Sequence, residues 1–148
     1  EPLSDALTVD HLERALCRRT GSIKGALLDQ GLIAGLGNIY VDESLWSTRI
    51  HPLTPANTLD RSQIEALLDA VRAILRAAIA NQGTTFSTFQ NPYGEAGGNA
   101  RYLKVYGRTK GSSSCERCGT PIERIMVAGR GSAICPSCQV TPADLPVR

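Results

Sequence analysis

The sequence lacks any apolar run long enough to cross a membrane. Its longest strongly apolar stretch, Ala70 to Ala80, is interrupted by Arg72 and Arg76, whereas a spanning helix needs about 20 consecutive apolar residues. The first residues also lack the basic segment, apolar run and small-residue cleavage site of a secretory signal. No membrane span is therefore predicted, and a cytoplasmic location is the default expectation.

The chain has little net charge, +2, but the charge is unevenly distributed. Residues 1–100 contain 8 Lys and Arg against 11 Asp and Glu, whereas residues 101–148 contain 8 against 3. The basic C-terminal third would suit a phosphate backbone. Short basic runs are also often only solvated surface, so charge alone leaves nucleic-acid binding open. Seven of these eight cations lie between residues 101 and 130: Arg101, Lys104, Arg108, Lys110, Arg117, Arg124 and Arg130.

Composition is that of a globular protein, with 42% hydrophobic and 20% charged residues. The length allows one core and a small appended module. Apolar residues recur at helical spacing in four segments, with Thr8 and Ser22 as N-caps of the first two. Gly31 to Asn38 is too rich in glycine for a continuous helix, so we expect packed turns there. The predicted helices are Thr8 to Cys17, Ile23 to Asp29, Gly37 or Asn38 to about Ser47, and Asp60 to Gln82.

The pattern changes after the fourth helix. Gln90 to Ala100 is rich in Asn, Pro and Gly, and we expect a mobile loop. Ile122 to Val127 and Ser132 to Ile134 are typical of two strands around a Gly129-Arg130-Gly131 turn. The predicted fold is therefore mainly α, with a small β-hairpin unit. The predicted domains are a helical domain over residues 1–106 and a hairpin domain with its tail over residues 107–148.

Four of the five cysteines form two Cys-x2-Cys knuckles, Cys115 with Cys118 and Cys135 with Cys138, separated by sixteen residues. This spacing predicts a zinc ribbon, in which both knuckles hold one cation. Four thiolates leave no position for water, so the single Zn(II) would be structural. A rubredoxin-like iron centre and disulfides are the alternatives.

Two single residues have simple interpretations. Cys17, the fifth cysteine, has no partner knuckle, and we interpret it as a buried core thiol. Trp46, the only tryptophan, is most simply a core residue packed against the second helix.

Five short motifs occur along the chain: Gly35 to Glu43; Ile50-His51-Pro52; Gly83-Thr84-Thr85; Val105-Tyr106-Gly107-Arg108; and Cys118-Gly119-Thr120-Pro121-Ile122 through Gly129-Arg130-Gly131 to Cys135-Pro136. In their order and separations they resemble the formamidopyrimidine-DNA glycosylase and endonuclease VIII family, from near Glu1 to Gln139. The resemblance implies a helix-two-turn-helix domain beside the zinc ribbon, with damaged double-stranded DNA lying across both.

The resemblance also implies contacts to the DNA backbone. Asn38 corresponds to an asparagine that binds phosphate at a helix start, where exposed N–H groups and the helix dipole favour an anion. Arg130 corresponds to an arginine that holds phosphate from the other side. Tyr106, Arg124 and Arg108 match further backbone contacts. Taken without the resemblance, Asn38 is a plain N-cap, Tyr106 ordinary packing and Arg130 a turn residue.

Glu43 matches a glutamate close to the reacting nucleotide, and we expect it to support the chemistry. Its residue type alone indicates a solvated carboxylate beside Asp42. The family nucleophile is an N-terminal proline followed by glutamate, whereas Pro2 here is the second residue and is followed by Leu3. Pro2 is therefore not the nucleophile. We expect a monomeric fragment that lacks the catalytic N-terminal domain and forms no covalent intermediate.

Besides the position of Pro2, the sequence departs from the family pattern at Gly97-Gly98-Asn99-Ala100, where many family members have an aromatic pair. Contacts in the pocket offset the cost of base flipping, so this difference leaves base recognition open. The expected function is damaged-DNA binding by part of a bacterial, nucleoid-associated base-excision glycosylase and abasic-site lyase. Its expected substrates are oxidised bases, with formamidopyrimidine and 8-oxoguanine favoured. The alternatives are a non-enzymatic zinc-ribbon module that binds nucleic acid and a rubredoxin-like electron carrier.

Overall fold

A computed structural model describes residues 7–33, 36–80, 103–106 and 114–140. Within these ranges the chain forms four α-helices and one antiparallel β-hairpin, which confirms the predicted mainly helical fold. None of the described helices is long and apolar enough to cross a membrane. The elements are α1 (Val9–Leu16), α2 (Ile23–Leu28), α3 (Asn38–Ser47), a short 3-10 helix (Ala56–Thr58), α4 (Arg61–Ala80), β1 (Glu123–Val127) and β2 (Arg130–Ile134).

Side-chain caps fix the starts of three helices. The Thr8 hydroxyl accepts the His11 N–H at 3.1 Å, and the Ser22 hydroxyl accepts the Gly25 N–H at 3.1 Å. Ahead of α4, the Asp60 carboxylate accepts the Gln63 N–H at 2.8 Å, and the Gln63 side chain accepts the Asp60 N–H at 2.9 Å. Both N-cap predictions are therefore confirmed, and α4 begins with a reciprocal capping box.

The helical core lies between α1, α3 and α4. Along α4 the side chains of Ile64, Leu67, Leu68 and Val71 are buried on one face, as the helical periodicity predicts. Helix α3 differs, because six consecutive residues, 41–46, are buried and include charged side chains. A helix buried on all sides must be covered by more than one unit, and the zinc ribbon supplies the second cover of α3.

The segment after α3 closes the start of α2. The Ile23 N–H donates to the Thr54 carbonyl at 2.7 Å, and the Lys24 N–H donates to the Pro52 carbonyl at 3.2 Å. His51 is buried, and its Nδ1 accepts the Leu53 N–H at 3.0 Å. Burial lowers the pKa of His51, so the neutral ring that accepts this bond is favoured. The Ile50-His51-Pro52 motif is therefore part of a structural turn whose carbonyls accept the first backbone N–H groups of α2, which have no partner within the helix.

The hairpin has a tighter turn than the sequence indicated. Ala128 and Gly129 have φ angles of 54° and 75°, and Val127 pairs directly with Arg130. A two-residue turn with both φ angles positive matches the right-handed twist of the strands. Arg130 is consequently the first residue of β2 and not the centre of the turn, so the predicted Gly129-Arg130-Gly131 turn is wrong by one residue.

Two single-residue interpretations are also wrong. Cys17 is exposed just beyond the last buried residue of α1, and its thiol donates to the Arg14 carbonyl at 3.1 Å. Trp46 packs not against α2 but within a second cluster that includes Val105, Cys115 and Ile122. The large apolar side chain of Trp46 indicated burial, but it could not show which unit covers it.

Three predictions fall outside the described residues. They are the mobile loop over residues 90–100, the end of the fourth helix near Gln82, and the position of Arg108. The domain division at residue 106 stays a prediction. Within the described ranges, α3 is the helix with which β2 makes most of its contacts.

Candidate nucleic-acid interface and zinc centre

The sulfur atoms of Cys115, Cys118, Cys135 and Cys138 all lie within 4.8 Å of one another. The Cys118 and Cys135 sulfurs are 3.4 Å apart, and those of Cys115 and Cys138 are 3.9 Å apart. A tetrahedral site with Zn–S bonds of about 2.3 Å has S···S edges of about 3.8 Å. A disulfide needs about 2.05 Å, so the cluster fits one structural zinc ion and not two disulfides.

Further donors surround the thiolates. The Trp46 indole N–H donates to the Cys115 sulfur at 3.4 Å, and the Arg117 Nε–H donates to the Cys138 sulfur at 3.4 Å. Such donors orient the ligands and offset part of the negative charge of a four-thiolate shell. They also join the zinc centre to the last turn of α3.

Arg117 also joins the zinc ribbon to the C-terminal end of α3 through the helix backbone. Its Nη2 donates to the Trp46 carbonyl at 2.6 Å, and its guanidinium carbon lies 3.9 Å from the centroid of the Trp46 ring. A cation at a helix C-terminus interacts favourably with the helix dipole and with unpaired carbonyls. Arg117 therefore stabilises the contact between the ribbon and the helix. On sequence alone it belongs with the cations that would suit a phosphate backbone, whereas here its guanidinium is already bound within the protein.

The opposite end of α3 opens onto a groove. Helix α3 starts after Gly37, and no side chain caps it. The Asn38 Nδ2 donates to the Gly131 carbonyl at 3.3 Å. Gly131 follows Arg130 directly in β2, so the backbone of Arg130 lies next to the residue that Asn38 contacts. The residues that line the groove are Asn38, Asp42, Tyr106, Arg124, Gly131, Ser132 and Ala133.

The Arg124 guanidinium lies across β2 at Gly131. A Cβ atom at Gly131 would lie 2.6 Å from Nη2 of Arg124, closer than real contacts allow. Glycine at this position therefore permits the close approach. Arg124 and Arg130 are both exposed, and neither has an acidic partner within the described ranges. Arg124 thus lines the groove and Arg130 adjoins it in sequence at Gly131, and neither cation forms an ion pair within the described ranges.

Glu43 is buried on α3, with 4% of its surface exposed. Its carboxylate accepts three consecutive backbone N–H groups, from Lys104 at 2.6 Å, Val105 at 2.9 Å and Tyr106 at 2.8 Å. Burial raises the pKa of Glu43, and the three amides oppose that effect. Glu43 is therefore not a solvated carboxylate, and it fixes the segment that carries Tyr106.

The sequence interpretation missed two residues behind the groove, Lys24 and Asp42. Lys24 is fully buried on α2, and its Nζ lies 2.7 Å from Oδ1 of Asp42, which is 2% exposed. A signal was present, because Lys24 stands between Ile23 and Ala26 on the apolar stripe of a short helix. A lysine in that position is buried only when its charge is matched.

We predict that Cys118→Ser releases zinc and unfolds the ribbon, because structural zinc supplies much of the folding free energy of such units, about 10 to 16 kcal/mol in zinc-finger peptides. The zinc content measured by elemental analysis should fall below one zinc per chain. The fluorescence emission of Trp46, the only tryptophan, should shift as its indole leaves Cys115. Cys17→Ser is the matched control and should retain one zinc. Full zinc content and native emission in Cys118→Ser would contradict the assignment.

Comparison with known proteins agrees with this arrangement. Residues 1–90 match the formamidopyrimidine-DNA glycosylase H2TH domain. Residues 113–140 match the zinc finger found in FPG and IleRS. The formamidopyrimidine-DNA glycosylase of Herpetosiphon aurantiacus is 48% identical over 139 residues, which are 94% of this chain and 50% of that protein.

Solved structures show the same similarity. The crystal structure of MutM (FPG) from Thermus thermophilus aligns with a TM-score of 0.85 at 41% identity, over 94% of this chain and 52% of that one. A Lactococcus lactis FPG mutant in complex with DNA containing Fapy-dG aligns with a TM-score of 0.85 at 42% identity, over 95% of this chain and 51% of that one. The chain thus spans about half the length of these relatives, and it belongs to the formamidopyrimidine-DNA glycosylase family.

Proposed function

We propose that this chain grips the backbone of damaged double-stranded DNA for a base-excision DNA glycosylase with abasic-site lyase activity. The observation that carries the proposal is the groove at the start of α3, which Asn38 and Arg124 line and where Asn38 contacts Gly131, the residue after Arg130. The Lactococcus lactis structures contain DNA with Fapy-dG or an abasic site. By analogy the preferred substrates are formamidopyrimidine and 8-oxoguanine lesions.

The groove suits a phosphate group for three physical reasons. The first N–H groups of α3 are not capped by a side chain, and the helix dipole makes that end positive. An amide nitrogen carries two N–H donors, so Asn38 can donate one to Gly131 and offer the other to phosphate. Arg130 and Arg124 then supply positive charge from the strand side.

Tyr106 and Arg108 extend the same track in this proposal. Tyr106 lines the groove, and Arg108 lies two residues further along, outside the described residues. Contacts of this kind fix the register of DNA on the protein and carry little base information. Recognition of the lesion is therefore assigned to other residues of the complete protein.

The covalent chemistry is likewise assigned to residues outside these 148. The family nucleophile is the amine of an N-terminal proline, and this chain spans about half the length of its relatives. The partner implied is a catalytic domain of the same polypeptide, in a monomeric cytoplasmic enzyme. The chain by itself is a DNA-binding unit.

We predict that Asn38→Ala and Arg130→Ala both weaken binding to a duplex that contains an abasic-site analogue. Loss of one charge-assisted hydrogen bond should cost about 1.5 to 3 kcal/mol, which is about a 10- to 150-fold loss of affinity. Arg130→Ala should also reduce the salt slope by about one, because one fewer phosphate is neutralised. Asn38→Ala removes no charge and should leave the slope unchanged. Fluorescence anisotropy between about 50 and 200 mM salt measures both quantities.

Arg61→Ala is the charge-matched control for this experiment. Arg61 is exposed on α4, and its guanidinium is already paired with Asp10 at 2.7 Å. The control should retain the affinity and salt slope of the parent chain. Affinities unchanged by both groove substitutions would refute the phosphate grip.

We also predict that borohydride traps no adduct between this chain and an abasic-site duplex. Trapping requires a Schiff base between a suitable amine and the sugar, and we assign that amine to the catalytic domain. Denaturing electrophoresis with labelled DNA provides the measurement. Efficient trapping by the 148 residues would show that a nucleophile is present among them.

We further propose that Glu43 supports the reaction indirectly, by holding residues 104–106. Glu43→Gln replaces one accepting oxygen with a donor, so backbone amides of that segment lose their partner. We predict faster hydrogen exchange at these amides and a stability loss of about 2 kcal/mol or more. Glu65→Gln, an exposed change on α4, is the control. If Glu43→Gln leaves exchange and DNA affinity intact but lowers activity of the complete enzyme, Glu43 acts directly in the chemistry.

A further inference from the structure

Behind the proposed phosphate groove lies a buried charge cluster that joins three elements. Lys24 on α2 is 0% exposed, Asp42 on α3 is 2% exposed, and Ser132 on β2 is 0% exposed. Lys24 Nζ donates to Asp42 Oδ1 at 2.7 Å, to the Gly131 carbonyl at 3.1 Å and to the Ser132 hydroxyl at 2.6 Å. The other Asp42 oxygen accepts the Ala133 N–H at 3.1 Å.

This cluster is fully satisfied. An ammonium group has three N–H donors, and each donor of Lys24 has one acceptor. Burial lowers the pKa of Lys24 and raises that of Asp42, while each charge counteracts the effect on the other. Because removal of one partner would leave a buried charge, the two residues act as a unit.

Stability alone is a poor reason for such a pair. Desolvation of two charges offsets most of their attraction, and well-packed apolar side chains are often as stable or more so. A saturated polar network does, however, hold its members in one geometry. Here that geometry is the position of β2 relative to α2 and α3.

The Gly131 carbonyl connects the cluster to the groove. It accepts Lys24 Nζ and also Asn38 Nδ2. Asn38 Oδ1 is buried and has no hydrogen-bond partner within the described ranges. If the Asn38 amide were turned over, this oxygen would face the Gly131 carbonyl oxygen. The carbonyl therefore sets the orientation that leaves the second N–H of Asn38 available.

Charge placement supports the same connection. Arg130 lies close enough to Lys24 for its charge to disfavour the Lys24 ammonium. Asp42 offsets one of these two neighbouring positive charges. The Asp42 carboxylate thus lowers the electrostatic cost of an exposed arginine near a buried lysine.

We propose that Lys24 and Asp42 are positioning residues for the phosphate grip, acting through the Gly131 carbonyl on Asn38 and Arg130. The inference rests on the proposed function of the groove. Lys24 is fully buried, and Asp42 lines the groove but is only 2% exposed, so neither is expected to contact DNA. The phosphate site is formed only when the ribbon is seated on both helices.

The test is the double variant Lys24→Met with Asp42→Asn. It removes one positive and one negative charge, so the net charge of the chain is unchanged. The side-chain amide oxygen introduced at position 42 can still accept the Ala133 N–H, and an uncharged pair should retain folding and zinc. We expect affinity for a duplex with an abasic-site analogue to fall about tenfold. Arg61→Met with Asp10→Asn, which removes an exposed ion pair, is the matched control and should bind normally.

A thermodynamic cycle separates positioning from a general loss of structure. Asn38→Ala is measured in the parent chain and in the Lys24→Met/Asp42→Asn background. If the pair acts through Asn38, the effect of Asn38→Ala should nearly disappear in the second background. Equal effects in both backgrounds would overturn the proposal. If Asn38→Ala has no effect even in the parent chain, the phosphate grip itself fails, which is a distinguishable result.

Ser132→Ala provides a milder variant if the double variant does not fold. It removes one acceptor of Lys24 and keeps both charges. We expect the side-chain amide resonances of Asn38 to shift in nitrogen-edited NMR spectra, with unchanged zinc content and a smaller loss of affinity. Unmoved Asn38 resonances and unchanged DNA affinity would overturn the proposal.

Discussion

Helix α3 is enclosed between the helical core and the zinc ribbon, and its two ends have different tasks. At the C-terminal end, Arg117 donates to the Trp46 carbonyl and to a zinc-binding thiol. At the N-terminal end, Asn38 faces the groove beside Gly131. Anything that moves the ribbon relative to α3 therefore changes the groove, because one wall of the groove belongs to the helix and the other to β2.

Polar contacts determine how the ribbon sits on this helix. Asp42 accepts the amide of Ala133, and Glu43 accepts three amides of residues 104–106. Apolar packing would tolerate a small slide along the interface, whereas a buried carboxylate loses much more when its donors move away. The buried acids thus give the interface one position, while the apolar cluster around Trp46 supplies the area that excludes water.

The parts of the fold that sequence could predict are those that depend on neighbours along the chain. Caps at Thr8 and Ser22 and the two cysteine knuckles follow from local chemistry and spacing. The partners of Lys24 are 18 and 108 residues away, and no periodicity carries that information. The turn at Ala128 was missed because a non-glycine residue with positive φ has no strong sequence signal. The prediction that Cys17 is buried failed because one residue beyond the buried Leu16 is a rotation of about 100° around the helix, which turns the side chain outward.

The chemistry of the zinc centre also limits what it can contribute to binding. Four thiolates with one Zn(II) carry a formal net charge of −2, so the centre by itself would repel phosphate. The donors from Trp46 and Arg117 offset part of that charge locally. Positive charge for the groove must therefore come from Arg124 and Arg130 on the hairpin, and the metal contributes by keeping those strands folded. If the groove binds phosphate as proposed, its contacts would read no base, and the choice of lesion would be left to the rest of the protein.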